Sequence, residues 1–116
     1  MSATLLGFYN SVTLAAAATS NLYDLVTNTA LSYALPKNLP GQCVSLNFTA
    51  DKALKVAFAA AQLDDTHGGD LVANTPFVDS ATGGDGGNTI PLSQIYLYAP
   101  SGGGTVTITI YLRFVG

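Results

Sequence analysis

The segment Ile90-Pro91-Leu92-Ser93-Gln94-Ile95-Tyr96-Leu97-Tyr98, followed by Ala99-Pro100-Ser101-Gly102-Gly103-Gly104 and then Thr105-Val106-Thr107-Ile108-Thr109-Ile110-Tyr111-Leu112-Arg113-Phe114-Val115, decides the fold. Successive side chains of a strand point to opposite faces. Val106, Ile108, Ile110, Leu112 and Phe114 therefore share one face, and Thr105, Thr107, Thr109, Tyr111 and Arg113 share the other. The glycine-rich turn between the two runs reads as a hairpin loop. It sets Leu97 opposite Val106 and Ile95 opposite Ile108, with Tyr98 and Tyr96 meeting Thr105 and Thr107. The expectation is a long two-faced strand pair with no catalytic signature on it.

Upstream, Cys43 to Ala60 repeats the pattern. Val44, Leu46 and Phe48 share a face, as do Leu54, Val56 and Phe58 beyond the turn Thr49-Ala50-Asp51-Lys52-Ala53. That arrangement pairs Leu46 with Val56. A helix over Asp51 to Gln62 competes, because the segment is Ala-rich and Leu54, Phe58 and Ala61 have helical spacing. The strand is preferred because the alternation continues from its partner. Asn21-Leu22-Tyr23-Asp24-Leu25-Val26 reads as a short helix with Asn21 as N-cap and Leu22, Leu25 and Val26 on one side. Pro36, Pro40 and Gly41 punctuate the loop after it. Residues 1–20 carry apolar side chains without a clean period and read as an N-terminal arm or edge segment. An arm would become ordered on binding. Residues 21–116 form a single domain, an antiparallel β-sandwich or jelly roll.

Charge is the unusual quantity. Asp, Glu, Lys and Arg make up 9% of the 116 residues, against about 25% in an ordinary domain. Glu is absent, and the basic residues are Lys37, Lys52, Lys55 and Arg113. Thr, Ser, Asn and Gly supply the polarity, and burying them against a neighbour costs less than burying Lys or Glu. The composition therefore suits a subunit of an assembly as well as a neutral β-domain. The net charge of -3 argues against nucleic acid as a partner, since phosphate binding needs clustered cations. Cys43 is the one cysteine, which precludes an internal disulfide, and it reads as a small apolar strand residue. No run reaches the roughly 18 apolar residues of a membrane helix. Leu14 to Ala18 lacks the preceding positive charge of a secretory signal, so synthesis in the cytoplasm is expected. The sequon Asn47-Phe48-Thr49 then has no glycosylation role.

Residues 64–88 hold five of the seven acids, the single His and six of the twelve Gly. Asp64, Asp65 and Asp70, with His67, are a candidate set for a divalent cation. The carboxylates suit calcium, His does not, and the spacing matches no EF-hand loop. A solvated turn is preferred. Gly83-Gly84-Asp85-Gly86-Gly87-Asn88 looks like one copy of a calcium-binding glycine repeat, which works between stacked copies, and is read as a turn. Cys43 on a strand and His67 in a loop make an unconvincing nucleophile and base. No phosphate-binding glycine-lysine pattern exists. The expectation is a non-enzyme without cofactor or metal. Tyr96, Tyr98 and Tyr111 lie opposite the aliphatic stripe and could contact a sugar or a partner protein, or cover a second sheet.

The order of Asn21 to Val26, Cys43 to Ala60 and Pro91 to Leu112, ending in I-Y-L-Y-A-P-S-G-G-G-T-V-T-I-T-I, resembles that of small tailed-phage virion proteins of the head decoration or cement type. The stretches cover about two fifths of the chain, and the likeness is one of pattern. It implies a capsid decoration protein assembled in the host cytoplasm and bridging the major capsid protein or other virion proteins. It also implies a homo-oligomer, a trimer among the states open to it, with neither nucleic acid nor membrane as partner. Neck and tail positions are alternatives within the same class. Assembly contacts are expected from Leu5, Phe8, Tyr9, Tyr96, Tyr98 and Tyr111. The competing function is a lectin-like carbohydrate-binding module using Tyr96, Tyr98 and the Asp-rich loops. A pilus or surface-layer subunit is a third class, disfavoured by the missing signal sequence.

The face assignment is testable directly. Ile108→Asp should unfold the domain, because it buries a charge on the core face, whereas Thr107→Asp should be tolerated. Denaturation curves in which Thr107→Asp does the greater damage would invert the assignment.

Overall fold

Alternation of apolar and polar residues produces two antiparallel four-stranded sheets packed face to face. The computed structural model describes residues 5–28, 31, 34–35, 42–80 and 90–115. In chain order the strands are β1 (Leu5–Leu14), β2 (Thr19–Asn21), β3 (Gln42–Ala50), β4 (Leu54–Ala57), β5 (Gly69–Leu71), β6 (Phe77–Ser80), β7 (Tyr96–Tyr98) and β8 (Val106–Val115). One helix, α1 (Leu22–Val26), follows β2. The sheet orders are β1-β8-β3-β6 and β2-β7-β4-β5. The pairings β1–β8, β2–β7, β3–β6 and β4–β5 are those of one long hairpin rolled into two layers, with β8–β3 and β7–β4 closing the roll. This is the strand order of a jelly roll.

Both inner faces are the stripes read from the sequence. Val106, Ile108, Ile110, Leu112 and Phe114 of β8 are buried, as are Leu46 and Phe48 of β3. Leu54 and Val56 of β4 and Leu97 of β7 meet them from the other sheet. Phe48 stacks on Phe77 of β6, with ring centroids 4.8 Å apart. α1 adds Leu22, Leu25 and Val26 to the same core. The Asn21 side chain accepts the Asp24 N–H at 2.7 Å, and the Leu22 N–H donates to the Ile95 carbonyl at 2.8 Å. Asn21 thus caps the helix and α1 is tied to the approach to β7.

Two expected hairpins are absent. β3 and β4 lie in opposite sheets, as do β7 and β8. Leu46 pairs with Leu112 and Asp79, not with Val56, and Val56 pairs with Leu97 and Gly69. Tyr98 lies between Thr19 and Lys55, and Tyr96 between Asn21 and Ala57, so neither meets Thr105 or Thr107. The connections 51–53 and 99–105 are arches that cross between layers about 10 Å apart. Alternation could not tell the two cases apart. A strand that hydrogen-bonds beside another and a strand that packs over it need the same inward stripe.

Smaller departures have local causes. A register shift between Cys43 and Ser45 leaves Val44 half-buried and gives Cys43 the inward place. β4 ends at Ala57, so Phe58 leaves the core face and is 67% exposed. The helical tendency of the Ala-rich run survives as a single 3-10 turn, Ala60–Gln62. Pro91 to Gln94 forms another turn in place of strand. Leu5–Leu14 is a sheet edge rather than an arm. Met1 to Thr4, Pro36 to Gly41 and the Gly83–Asn88 motif lie outside the described residues.

Because α1 is short, its cap carries much of its stability. Asn21→Ala should cost about 1 kcal/mol, read as a lower urea midpoint at unchanged slope.

Candidate functional site

The two outer faces of the sandwich are built from different chemistry. On the β1-β8-β3-β6 sheet, register lines side chains up across the strands. One row is Tyr9, Tyr111, Asn47 and Val78; the next is Ser11, Thr109 and Thr49; a third is Gly7, Arg113, Ser45 and Ser80. Arg113 is the one charged side chain in these rows. Tyr9, Tyr111 and Val78 are 58%, 54% and 61% exposed. The Tyr9 and Tyr111 rings sit 4.3 Å apart and tilted by 34°, a cross-strand aromatic pair. Desolvation by that packing raises the Tyr111 hydroxyl pKa, and the neighbouring Tyr9 adds to it. Ser11 Oγ and Thr109 Oγ1 are 3.3 Å apart. The result is a broad face of low charge with an aromatic pair toward one side, on which Tyr9, Tyr111 and Val78 stand exposed among the described residues.

The other sheet is covered by the apex of the rolled hairpin. Asp65 reaches back to β7 and the arch after it, accepting from Tyr98 Oη at 2.7 Å, the Ser101 N–H at 2.9 Å and Ser101 Oγ at 2.5 Å. The Ser101 hydroxyl and N–H, then Tyr98, lower the Asp65 pKa. The same bond raises that of Tyr98. Asp64 organises its own turn. Its carboxylate accepts the Thr66 and His67 N–H groups at 2.8 and 2.7 Å and lies 2.8 Å from His67 Nδ1. The Thr66 N–H, followed by the His67 ring, holds Asp64 down at about 2. Lys55 of β4 meets Asp70 of β5 at 2.6 Å. Gly68 has φ +114°, and a Cβ there would come within 2.6 Å of Leu63 Cδ2 and 3.3 Å of Lys55 Cβ, so the turn closes tightly only with glycine.

These contacts dispose of the residues singled out from the sequence. Asp64, Asp65 and Asp70 serve three separate sets of partners and do not converge. Among the described residues no group of three His, Cys, Asp or Glu is placed to hold a metal ion. Tyr96 and Tyr98 belong to the opposite sheet from Tyr111, so the three do not form one row. Tyr98 is only 8% exposed, its ring covered and its hydroxyl engaged by Asp65. Tyr9 and Tyr111 do come together. Leu5 and Phe8 lie in β1 opposite Val115 and Leu112. Cys43 is buried, and desolvation pushes its thiol up to about 11. It faces the core, while His67 stands in the exposed apex turn.

Val78 and Asn47 were not legible as site residues, because only the pairing of β6 with β3 sets them in the Tyr9–Tyr111 row. Phe58 was also missed. It borders an open depression of about 750 Å³ together with Val56, Gln62, Asp64 and His67. The Ala-rich run after it, which breaks the alternation, was the available signal. No helix among the described residues is long and apolar enough to cross a membrane. Comparison with protein-family models, curated proteins and solved structures gives no match.

The apex contacts give a pH dependence of stability. Folding lowers the pKa of Asp64 and Asp65, so their contribution is present above the ordinary carboxylate value. It is lost as pH falls from about 3.8 through about 2 for Asp64. The melting temperature should therefore fall across that window. Asp64→Asn with Asp65→Asn should flatten the fall and lower the melting temperature at neutral pH. An unchanged acid limb in the double variant would show that the apex carboxylates do not contribute.

Proposed function

We propose that the protein is a non-enzymatic structural subunit of a virion, a capsid decoration or cement protein that bridges neighbouring shell proteins. The observation that carries this reading is the asymmetry of the two outer faces. One is covered by the chain's own loop, with an ion pair and a fully engaged carboxylate. The other is four strands wide, carries Arg113 as the one charged side chain of its outward rows, and leaves the paired Tyr9 and Tyr111 exposed among the described residues. Interface cores are depleted of charge and enriched in tyrosine, and a standard interface buries about 800 Å² per partner. The partner that fits is a weakly polar protein surface, of which the major capsid protein is the instance implied by the sequence likeness to virion proteins. The jelly-roll order supports the reading by analogy, since capsid and lectin domains both use it. A fold alone does not assign function.

Quantitative mass spectrometry of particles purified from the source culture tests the proposal. A copy number near that of the major shell protein is expected, a few copies per particle would relocate the subunit to a vertex, neck or tail, and complete absence would sink the virion reading. Tyr9→Asp with Tyr111→Asp should lower occupancy on particles at least about tenfold, equivalent to about 1.4 kcal/mol. The two positions face each other across β1 and β8, so the like charges also lower the melting temperature, and occupancy is compared well below that transition.

One observation favours a carbohydrate-binding alternative, and it lies at a different place from Tyr96 and Tyr98. Phe58 offers an exposed ring beside Gln62, Asp64 and His67 at the rim of the open depression. An aromatic face with polar groups around it suits a sugar ring. Glycan binding abolished by Phe58→Ala and indifferent to the Tyr9 and Tyr111 changes would favour this reading.

A further inference from the structure

We propose that β1 pairs with β1 of a second copy of this chain about a two-fold axis, with Asn10 opposite Asn10 of that copy. The two β1-β8-β3-β6 sheets then form one continuous sheet.

The four sheet edges are not alike. β2 and β5 are three residues long, β6 is four, and β1 is ten. β5 and β6 carry Asp70 and Asp79, and charge on an edge opposes strand addition. β1, Leu-Leu-Gly-Phe-Tyr-Asn-Ser-Val-Thr-Leu, has neither charge nor proline, and its pairing with β8 runs in unbroken register from Leu5 to Leu14. Its outer side has no strand partner among the described residues. A long, uncharged edge in unbroken register is a template for another strand.

The hydrogen-bond phase shows which groups turn away from β8. The Thr107 carbonyl and N–H both bond Asp51, on the β3 side of β8. Odd-numbered residues of β8 thus turn their backbone groups to β3, and even-numbered ones turn theirs to β1. Ile110 and Ile108 then bond Asn10 and Val12, and the backbone groups of Gly7, Tyr9, Ser11 and Thr13 face the open edge. The Ser11 N–H fits this: it donates not to β8 but to the Asn10 side-chain Oδ1, at 2.8 Å.

Asn10 selects the partner and the register. Its Nδ2 is the one buried side-chain nitrogen or oxygen without a hydrogen-bond partner among the described residues, and such a group is costly to leave unpaired. An antiparallel pair that keeps core-side residues on the core side must match even positions with even ones. Centring the axis on Asn10 does so, and it places one amide against an identical amide that supplies both donor and acceptor. Centring it on Tyr9 would set Asn10 opposite position 8 and leave Nδ2 unpartnered. In the Asn10 register, Tyr9 exchanges backbone hydrogen bonds with Ser11 of the second copy, and Gly7 with Thr13. The Ser11 N–H passes from Asn10 Oδ1 to the Tyr9 carbonyl of the second copy, which frees Oδ1 to accept from the facing Nδ2. A heterologous strand would need its own matched amide at this position; a second copy brings one by symmetry. The uncharged strand meets no like-charge repulsion against itself.

Sedimentation equilibrium and native mass spectrometry of the full chain test this. A dimer is expected. Ser11→Pro should raise its dissociation constant at least tenfold, because proline removes a donor from the open edge but none from the β1–β8 ladder. Under mild oxidation Asn10→Cys should give a disulfide-linked dimer and Tyr9→Cys should not; the buried Cys43 does not compete. A chain that stays monomeric at its highest soluble concentration overturns the proposal. So does a dimer that Ser11→Pro leaves intact, or one that cross-links through Tyr9→Cys instead. If Ser11→Pro fails to fold, wild-type sedimentation and the two cysteine variants still decide. The proposal stands apart from the virion reading: a dimer absent from particles, or a monomer abundant on them, separates the two.

Discussion

The structure depends on the inward stripe of β8. Val106, Ile108, Ile110, Leu112 and Phe114 run the length of the strand without a polar interruption and are buried throughout. β8 is flanked by β1 and β3 on its edges and faces the other sheet with this stripe. Burial of such side chains is worth roughly 1.5–3 kcal/mol each, enough that no alternative register which turned Thr107, Thr109 and Arg113 inward could compete. Once β8 is oriented, the outward residues are oriented too. Tyr111 can then only stand on the outer face, and β1 and β3 bring Tyr9 and Asn47 beside it.

From that constraint follows the division of labour between the two outer faces. A sandwich has one inside and two outsides, and the rolled hairpin has one apex. The apex can fold over one sheet, and it folds over β7 and β4, where Asp65, Tyr98 and Ser101 fasten it. On the opposite sheet Tyr9, Tyr111 and Val78 stay exposed among the described residues. Its polarity comes from Ser, Thr and Asn, which keep a monomer hydrated and can also be desolvated against a partner at modest cost. Low charge and exposed outward rows are therefore two aspects of one property, and the uncharged β1 edge is continuous with them.

Legibility in the sequence varied with the kind of information each element needed. α1 was readable to the residue, because an N-cap and an i, i+3, i+4 pattern are local. The inward residues of β3, β4 and β8 were readable because pleat period is local, and they failed only where a register shift at Val44 or a strand end at Phe58 changed the phase. The strand pairings were not readable. Arches and hairpins impose the same alternation on their flanking strands, and a short loop can serve either. The site was half readable for the same reason: Tyr9 and Tyr111 could be nominated singly, but their contact, and the inclusion of Val78, depends on who neighbours whom. For the acidic loop, the sequence offered a cation set and a solvated turn, and its spacing favoured the turn. What was not legible is which partners its carboxylates take: they diverge to Thr66, Ser101 and Lys55.

The sequence by itself determined that this is an all-β sandwich of low charge, which side chains face its core, and where its helix begins. Those properties follow from backbone periodicity, capping chemistry and composition, all of which act within a few residues. Only the tertiary structure decided that consecutive strands change sheets, that Tyr98 is enclosed while Tyr111 is open, and that β1 ends its sheet among the described residues. Those outcomes depend on hydrogen bonds and packing between residues far apart in the chain, and local alternation is satisfied equally by the arrangements that were not adopted.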